Sequence, residues 1–301
     1  MNAPPGVVIL YQVGRGPNAP SISPFPLKLE TFLRMAKIPY MNDHTAKFST
    51  KGKTPWMEYN GVDVADSQFC IEYLKKELGA DLNKHLTAEE YGASRALQKM
   101  AEENLYWTMC DEMFLTDDTT VIRNIIPYRG VKLWATLWFL RRIIRKETWG
   151  HGIGRHSKDE IWSIAVGDLR AISGYLGNKA RKFSYAIVNA MQNTEMAMLK
   201  RKAYNNNYEL NDNSDKKFLT GDEPCEADCG LFGMLAMIVW HMPTSRHEKL
   251  VKEELTNLVT YCERMRDKYW PDWNKCILSS SEYVNDHGKI YRPDGVVNGT
   301  S

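Results

Sequence analysis

The chain predicts a two-domain protein, an α/β domain over residues 1–84 followed by an all-α domain over 85–278, with a flexible tail from 279 to 301. Three observations carry this prediction. Strand and helix periodicities alternate through the first domain and no convincing strand follows it. A hairpin dipeptide, Asn60-Gly61, sits between two short runs that can pair. Beyond residue 85 the chain carries two helix-opening capping boxes, Thr87-Ala-Glu-Glu90 and Ser157-Lys-Asp-Glu160, and an apolar run from Leu231 to Met242.

Val7 to Val13 reads as a first strand and ends before the turn-rich Gly14 to Pro20. Ser23 and Pro24 supply an N-cap and a first-turn proline for a helix whose apolar stripe is Leu29, Phe32, Leu33 and Ala36. Tyr40 to His44 is a second strand. Pro55 then opens the hairpin, Asp66 and Ser67 close it, and Ser67 reads as the N-cap of a helix through Cys70, Tyr73, Leu74 and Leu78. In the second domain the capping boxes open one helix through Leu97, Leu105 and Met109 and another through Ile161, Ala165, Leu169 and Leu176. An Asn-rich insertion at about 180–216 interrupts the pattern. A last helix is expected from Ser245 to about Lys268.

With 39 Lys and Arg against 37 Asp and Glu, the formal net charge of +2 gives no support to a nucleic-acid partner. The six cysteines form neither a CxxC motif nor a dense framework, which suits reduced thiols and a cytoplasmic location. Residues 1–10 lack the basic and apolar regions of a secretory signal. Leu231 to Met242 is shorter than the roughly 20 apolar residues of a spanning helix. Residues 131–146 place Trp134 and Trp138 ahead of Arg141, Arg142, Arg145 and Lys146, so peripheral contact with a membrane surface is an alternative to a packed helix with solvated charges. His151 with His156, and Cys225 with Cys229, lack a second pair at ligand spacing, and no metal is expected.

A proline-gated hairpin that feeds an acidic-Ser helix start, preceded by β-α-β, resembles the thioredoxin-like domain of glutathione transferases. Phe218 to Asp228 resembles that fold's signature before its central helix, Gly-Asp-x-Pro-(Thr or Ser)-x-Ala-Asp, with Cys225 in place of the hydroxyl residue. A thiol is a weak acceptor, so the cap should be poorer, while Asp228 can still bond back to the cap N–H. Ser21 to Arg34, Lys53-Thr-Pro-Trp with Asn60-Gly61, and Gly152 to Ser157 are similar to the failed axon connections family, a metaxin-related group linked to axon development.

The resemblance implies the glutathione S-transferase fold and glutathione as co-substrate. It implies a cis peptide before Pro55, with Thr54 and Pro55 at the tripeptide backbone and Asp66 and Ser67 at its γ-glutamyl end. Free N–H groups and the dipole at that helix start favour a carboxylate. For the thiol it implies Ser23, which matches the active position of related classes, with Tyr11 at the end of the first strand as the alternative. Two functions follow as expectations. One is a glutathione-binding protein with weak or absent transferase turnover; the other is a non-catalytic adaptor that holds protein or membrane-surface partners. A homodimer is compatible with either.

Overall fold

The structure, a computed structural model, describes residues 4–116, 120–125, 130–177 and 216–277, and the backbone of 283–284, 290–292 and 295–296. The insertion expected at about 180–216 therefore lies almost entirely outside the described residues.

Four strands form one sheet in the order β2-β1-β3-β4: β1 (Val8–Tyr11), β2 (Tyr40–Asp43), β3 (Trp56–Tyr59) and β4 (Val62–Ala65). β1 and β2 run parallel with Val8 beside Tyr40, whereas β3 is antiparallel to both β1 and β4. The hairpin closes at Asn60-Gly61 with φ of 49° and 83°, the positive pair that a type I′ turn needs. α1 (Pro24–Met35) crosses from β1 to β2 and α2 (Ser67–Leu78) follows β4. Val8, Leu10 and Met57 pack with Leu29, Phe32 and Leu33 of α1 and Ile71 and Leu74 of α2. Ile9, Tyr11 and Trp56 occupy the other face. The Thr54-Pro55 bond is cis, as expected.

The α-helical domain opens with α3 (Ala88–Lys99) under the expected Thr87 capping box. Where one continuous helix was expected, the run passes through π-helical turns at Met100–Leu105, then α4 (Tyr106–Cys110), then a second π-helical stretch at Asp111–Thr116. Each widened turn carries a buried carboxylate that meets a lysine: Glu102 with Lys28 at 2.6 Å, and Asp111 with Lys158 at 2.8 Å. α5 (Thr120–Ile125), α6 (Gly130–His151) and α7 (Lys158–Leu176) follow, the last under the expected Ser157 box.

α8 (Glu226–Ala236) is the apolar run, buried on every side and continued by π-helical turns through His241. It lies along α1 so closely that a Cβ added at Gly233 would stand 2.5 Å from the Pro24 carbonyl oxygen. The single last helix is corrected to two, α9 (Arg246–Glu253) and α10 (Thr256–Tyr269). Leu255 leaves helical geometry at φ −115°, ψ 47° and buries its side chain, so only Glu254 and Leu255 separate the two helices. Within the segment read as a tail, β5 (Tyr283–Val284), β6 (Ile290–Arg292) and β7 (Gly295–Val296) pair antiparallel.

Candidate functional site

Chain direction alone gathers the expected site residues. β1, β2 and β4 end, and β3, α1 and α2 begin, at one edge of the sheet, so Ser23, Thr54-Pro55 and Asp66-Ser67 all belong to that edge. Crevices outside the carboxyl ends of parallel strands are where open α/β sheets take ligands.

The cap of α2 is Asp66 rather than Ser67. Its carboxylate accepts from the N–H groups of Gln68 at 2.8 Å and Phe69 at 3.3 Å, both through Oδ1. The reason is backbone geometry: Asp66 stands outside the helix at φ 90°, while Ser67 is already its first residue. The consequence is chemical. With Asp66 capping, the Ser67 hydroxyl makes no hydrogen bond among the described residues, and neither do the hydroxyls of Ser23 and Thr54. An exposed carboxylate beside a serine at a helix start suits both ends of an α-amino acid, ammonium and carboxylate. Lys51, missed in the sequence, adds a cation there: its Nζ donates to the Ala65 carbonyl at 3.3 Å and lies 4.4 Å from the Phe69 ring.

Ser23 precedes α1 in extended geometry without capping it. Its N–H donates to Ser21 Oγ at 3.2 Å. Tyr11 is not brought to Ser23. It lies on the sheet face away from α1, stacked on Trp56 with ring centroids 3.8 Å apart, and donates its hydroxyl to Glu58 at 3.3 Å. Burial, then Glu58 and Asp43, push that phenol up to about 12, the wrong direction for a group that must give up a proton.

Beneath the edge is a polar layer that periodicity alone does not reveal. Glu30 of α1, fully buried, accepts from Arg15 at 2.8 and 3.0 Å, Gln12 at 2.9 Å, Asn42 at 3.0 Å and Tyr40 at 3.1 Å. Burial pushes this carboxyl up, but Arg15, Arg34 and Gln12 outweigh it and hold the group at about 2. Gln12 Oε1 and His44 Nε2 are buried at the ends of β1 and β2 with no hydrogen-bond partner. His44 is held neutral, down to about 4, by burial and by Arg15. The β1–α1 loop is fastened across the domains, for the Ala19 N–H donates to His241 Nε2 at 3.0 Å. Nearby, Lys28, Gln68, Gln98 and Glu102 bond one another, and Gln68 reaches Glu226 at 2.7 Å.

None of the cysteines is an activated nucleophile. All six are buried, and burial raises each thiol: Cys70, Cys110 and Cys225 to about 12, Cys276 to about 11, and Cys229 and Cys262 well above the ordinary value.

The chain matches two family models, the glutathione S-transferase N-terminal domain over residues 24–119 and the glutathione S-transferase C-terminal domain over 214–265. It is 29% identical over 285 residues to Failed axon connections of Drosophila melanogaster, covering 89% of this chain and 59% of the fly protein. The chain has the glutathione S-transferase fold and is similar to Failed axon connections. It is also 20% identical to metaxin-2 of Mus musculus, covering 84% of each chain, and 26% identical to isoprene-epoxide–glutathione S-transferase of Rhodococcus sp. (strain AD45), covering 83% of this chain and 94% of that one. Among solved structures, the glutathione S-transferase CsGST63524 of Ceriporiopsis subvermispora, in complex with glutathione, aligns at a TM-score of 0.54 and 15% identity over 88% of this chain and 98% of that one. The β-etherase LigF of Sphingobium sp. strain SYK-6 aligns at 0.51 and 14% identity over 86% and 94%. At such identities these structures show the fold, and the chain has that fold in both domains.

Proposed function

We propose that this glutathione S-transferase-like protein, similar to Failed axon connections, binds glutathione or a similar small thiol at the sheet edge, with weak or absent transferase turnover. The observation that carries the reading is the set of unengaged hydroxyls of Ser23, Thr54 and Ser67 beside the exposed Asp66 carboxylate. Asp66 takes the ammonium and Ser67 the carboxylate of the γ-glutamyl end. Thr54 and Pro55 meet the peptide backbone, and Ser23 donates to the sulfur. The chain's own thiols are buried and held protonated, so the sulfur has to come with the ligand. Low turnover is supported by the β1–α1 loop, whose Ala19 and Ser21 are fully buried and whose backbone is tied to His241. Protein partners, homodimer formation, a cytoplasmic location and a part in axon development, named for the fly relative, belong to the same proposal.

Calorimetric titration tests it. Glutathione should bind at one site per chain, with Ser67→Ala weakening it about tenfold or more, the order expected when a charge-assisted hydrogen bond is lost. Ser23→Ala should lower any turnover with an electrophilic co-substrate and leave affinity nearly unchanged. A protein that takes up no glutathione at millimolar concentration, or a Ser67→Ala variant that binds as the parent does, overturns the assignment.

A further inference from the structure

α6 carries two unlike stripes. Leu133, Leu137, Ile144 and Thr148 are buried. Leu133 and Leu137 pack with Ile122, Met113 and Phe114, and Arg141 Nε donates to the Phe114 carbonyl at 2.8 Å. The helix is therefore held in place by one face. The other face reads Val131, Trp134, Trp138, Arg142, Arg145 and Trp149, which recur in steps of three and four residues and so form one line along the helix. Every member of that line is exposed, with Val131 at 83%, Trp134 at 68%, Trp138 at 58% and Trp149 at 60%. Phe139, also 58% exposed, and Lys146 flank it. So many large apolar groups in solvent on one helix mark a surface that is covered in use.

We propose that this face of α6 docks the protein on an anionic phospholipid surface. Charge complementarity selects the occupant. Among the described residues no ion pair engages Arg142, Arg145 or Lys146, and Glu147 is the only acidic residue in α6. A second copy of the chain is disfavoured, because a two-fold contact would lay each arginine line against its own image. Tryptophan and arginine instead divide the headgroup region between them, the indoles at the depth of the acyl boundary and the guanidiniums on the phosphates. The 22 residues of α6 span about 33 Å, long enough to lie flat across several headgroups. No helix among the described residues is long and apolar enough to cross a membrane, so the contact is peripheral. It uses none of the residues assigned to the thiol.

The test is flotation of the full chain with vesicles of phosphatidylcholine alone or with about one-third phosphatidylserine. Brominated acyl chains report indole depth. Anionic vesicles should carry the protein, quench its tryptophan emission, and release it in about 0.5 M salt. Trp134→Ser/Trp138→Ser should abolish quenching and reduce binding by about tenfold or more, and Arg142→Glu/Arg145→Glu should reduce binding similarly. Because all four side chains are exposed, both variants should keep the parent's melting temperature and glutathione titration, which separates a lost surface from a lost fold. A parent that floats with neither vesicle, or variants that bind and are quenched as the parent is, would sink the proposal. So would a parent dimer that Trp134→Ser/Trp138→Ser converts to monomer, since the face would then be an interface between copies.

Discussion

Asp228 has no exposed surface, yet its carboxylate is shared by three donors. Oδ2 accepts from the Cys225 N–H at 2.8 Å, and Oδ1 accepts from the Leu219 N–H at 3.0 Å and the Tyr261 hydroxyl at 2.9 Å. Asp228→Ala leaves the two N–H groups buried and unmet and the Tyr261 hydroxyl only the backbone carbonyl of residue 228 at 3.2 Å, so it should destabilise by about 2–3 kcal/mol, beyond an ordinary cap loss. Thermal melts would show it. Cys225→Ser supplies a better acceptor at the cap and should stabilise by up to about 1 kcal/mol in the same assay. Glu30 governs acid stability. Its carboxyl titrates near 2 in the folded chain against an ordinary value of 4.5, so the native state resists a proton that the unfolded chain accepts. The stabilisation is complete above about pH 4.5 and is lost as pH falls toward 2, amounting to about 3 kcal/mol. In Glu30→Gln this acid limb should flatten, as measured by denaturant midpoints at stepped pH.

At the scale of elements, Asp66 is placed to do two things that substitution can separate. Asp66→Ala removes the acceptor for two N–H groups of α2 and keeps a φ of 90° that alanine tolerates poorly, so it should lower stability by about 1–2 kcal/mol. Asp66→Gly loses the same acceptor but suits that φ, and it should melt closer to the parent. Both should weaken glutathione alike if Asp66 holds its ammonium; a Gly variant with parental affinity would assign Asp66 to the fold alone. The four strands of the main sheet, its two helices and the two capping boxes were legible because each rests on local chemistry: alternation, Asn60-Gly61, Thr87 with Glu90, Ser157 with Glu160. The break at Leu255 and the π-helical turns were not, because long-range packing causes them: Leu255 turns into the core, and Glu102 and Asp111 turn to lysines from other elements. The candidate edge was legible only through resemblance. Its supporting layer, Gln12, His44 and Glu30, lies scattered in sequence with no periodicity to announce it.

Across the whole molecule, polar contacts join the two domains alongside apolar ones. Arg34 grips Asp272 through both ends of its fork, at 2.6 and 3.0 Å, and lies 3.9 Å from the Trp270 ring. Lys28 meets Glu102 with both side chains almost wholly buried. Lys28→Ala leaves that carboxylate only Lys99 and Gln98 as partners and should cost about 1–3 kcal/mol. The loss should appear as one transition, since neither domain has a self-contained interface. Separate melting steps for probes in the two domains would contradict this. The approach of Gly233 to Pro24 gives the same union a mechanical meaning. Where the backbones of α8 and α1 meet there is no clearance for even a methyl group, so the first turn of the small domain rests on the middle of the large one like a shaft in a bearing. Ser23 immediately precedes Pro24, so a side chain inserted at position 233 would press on the start of α1 and shift the sheet edge from a residue outside it.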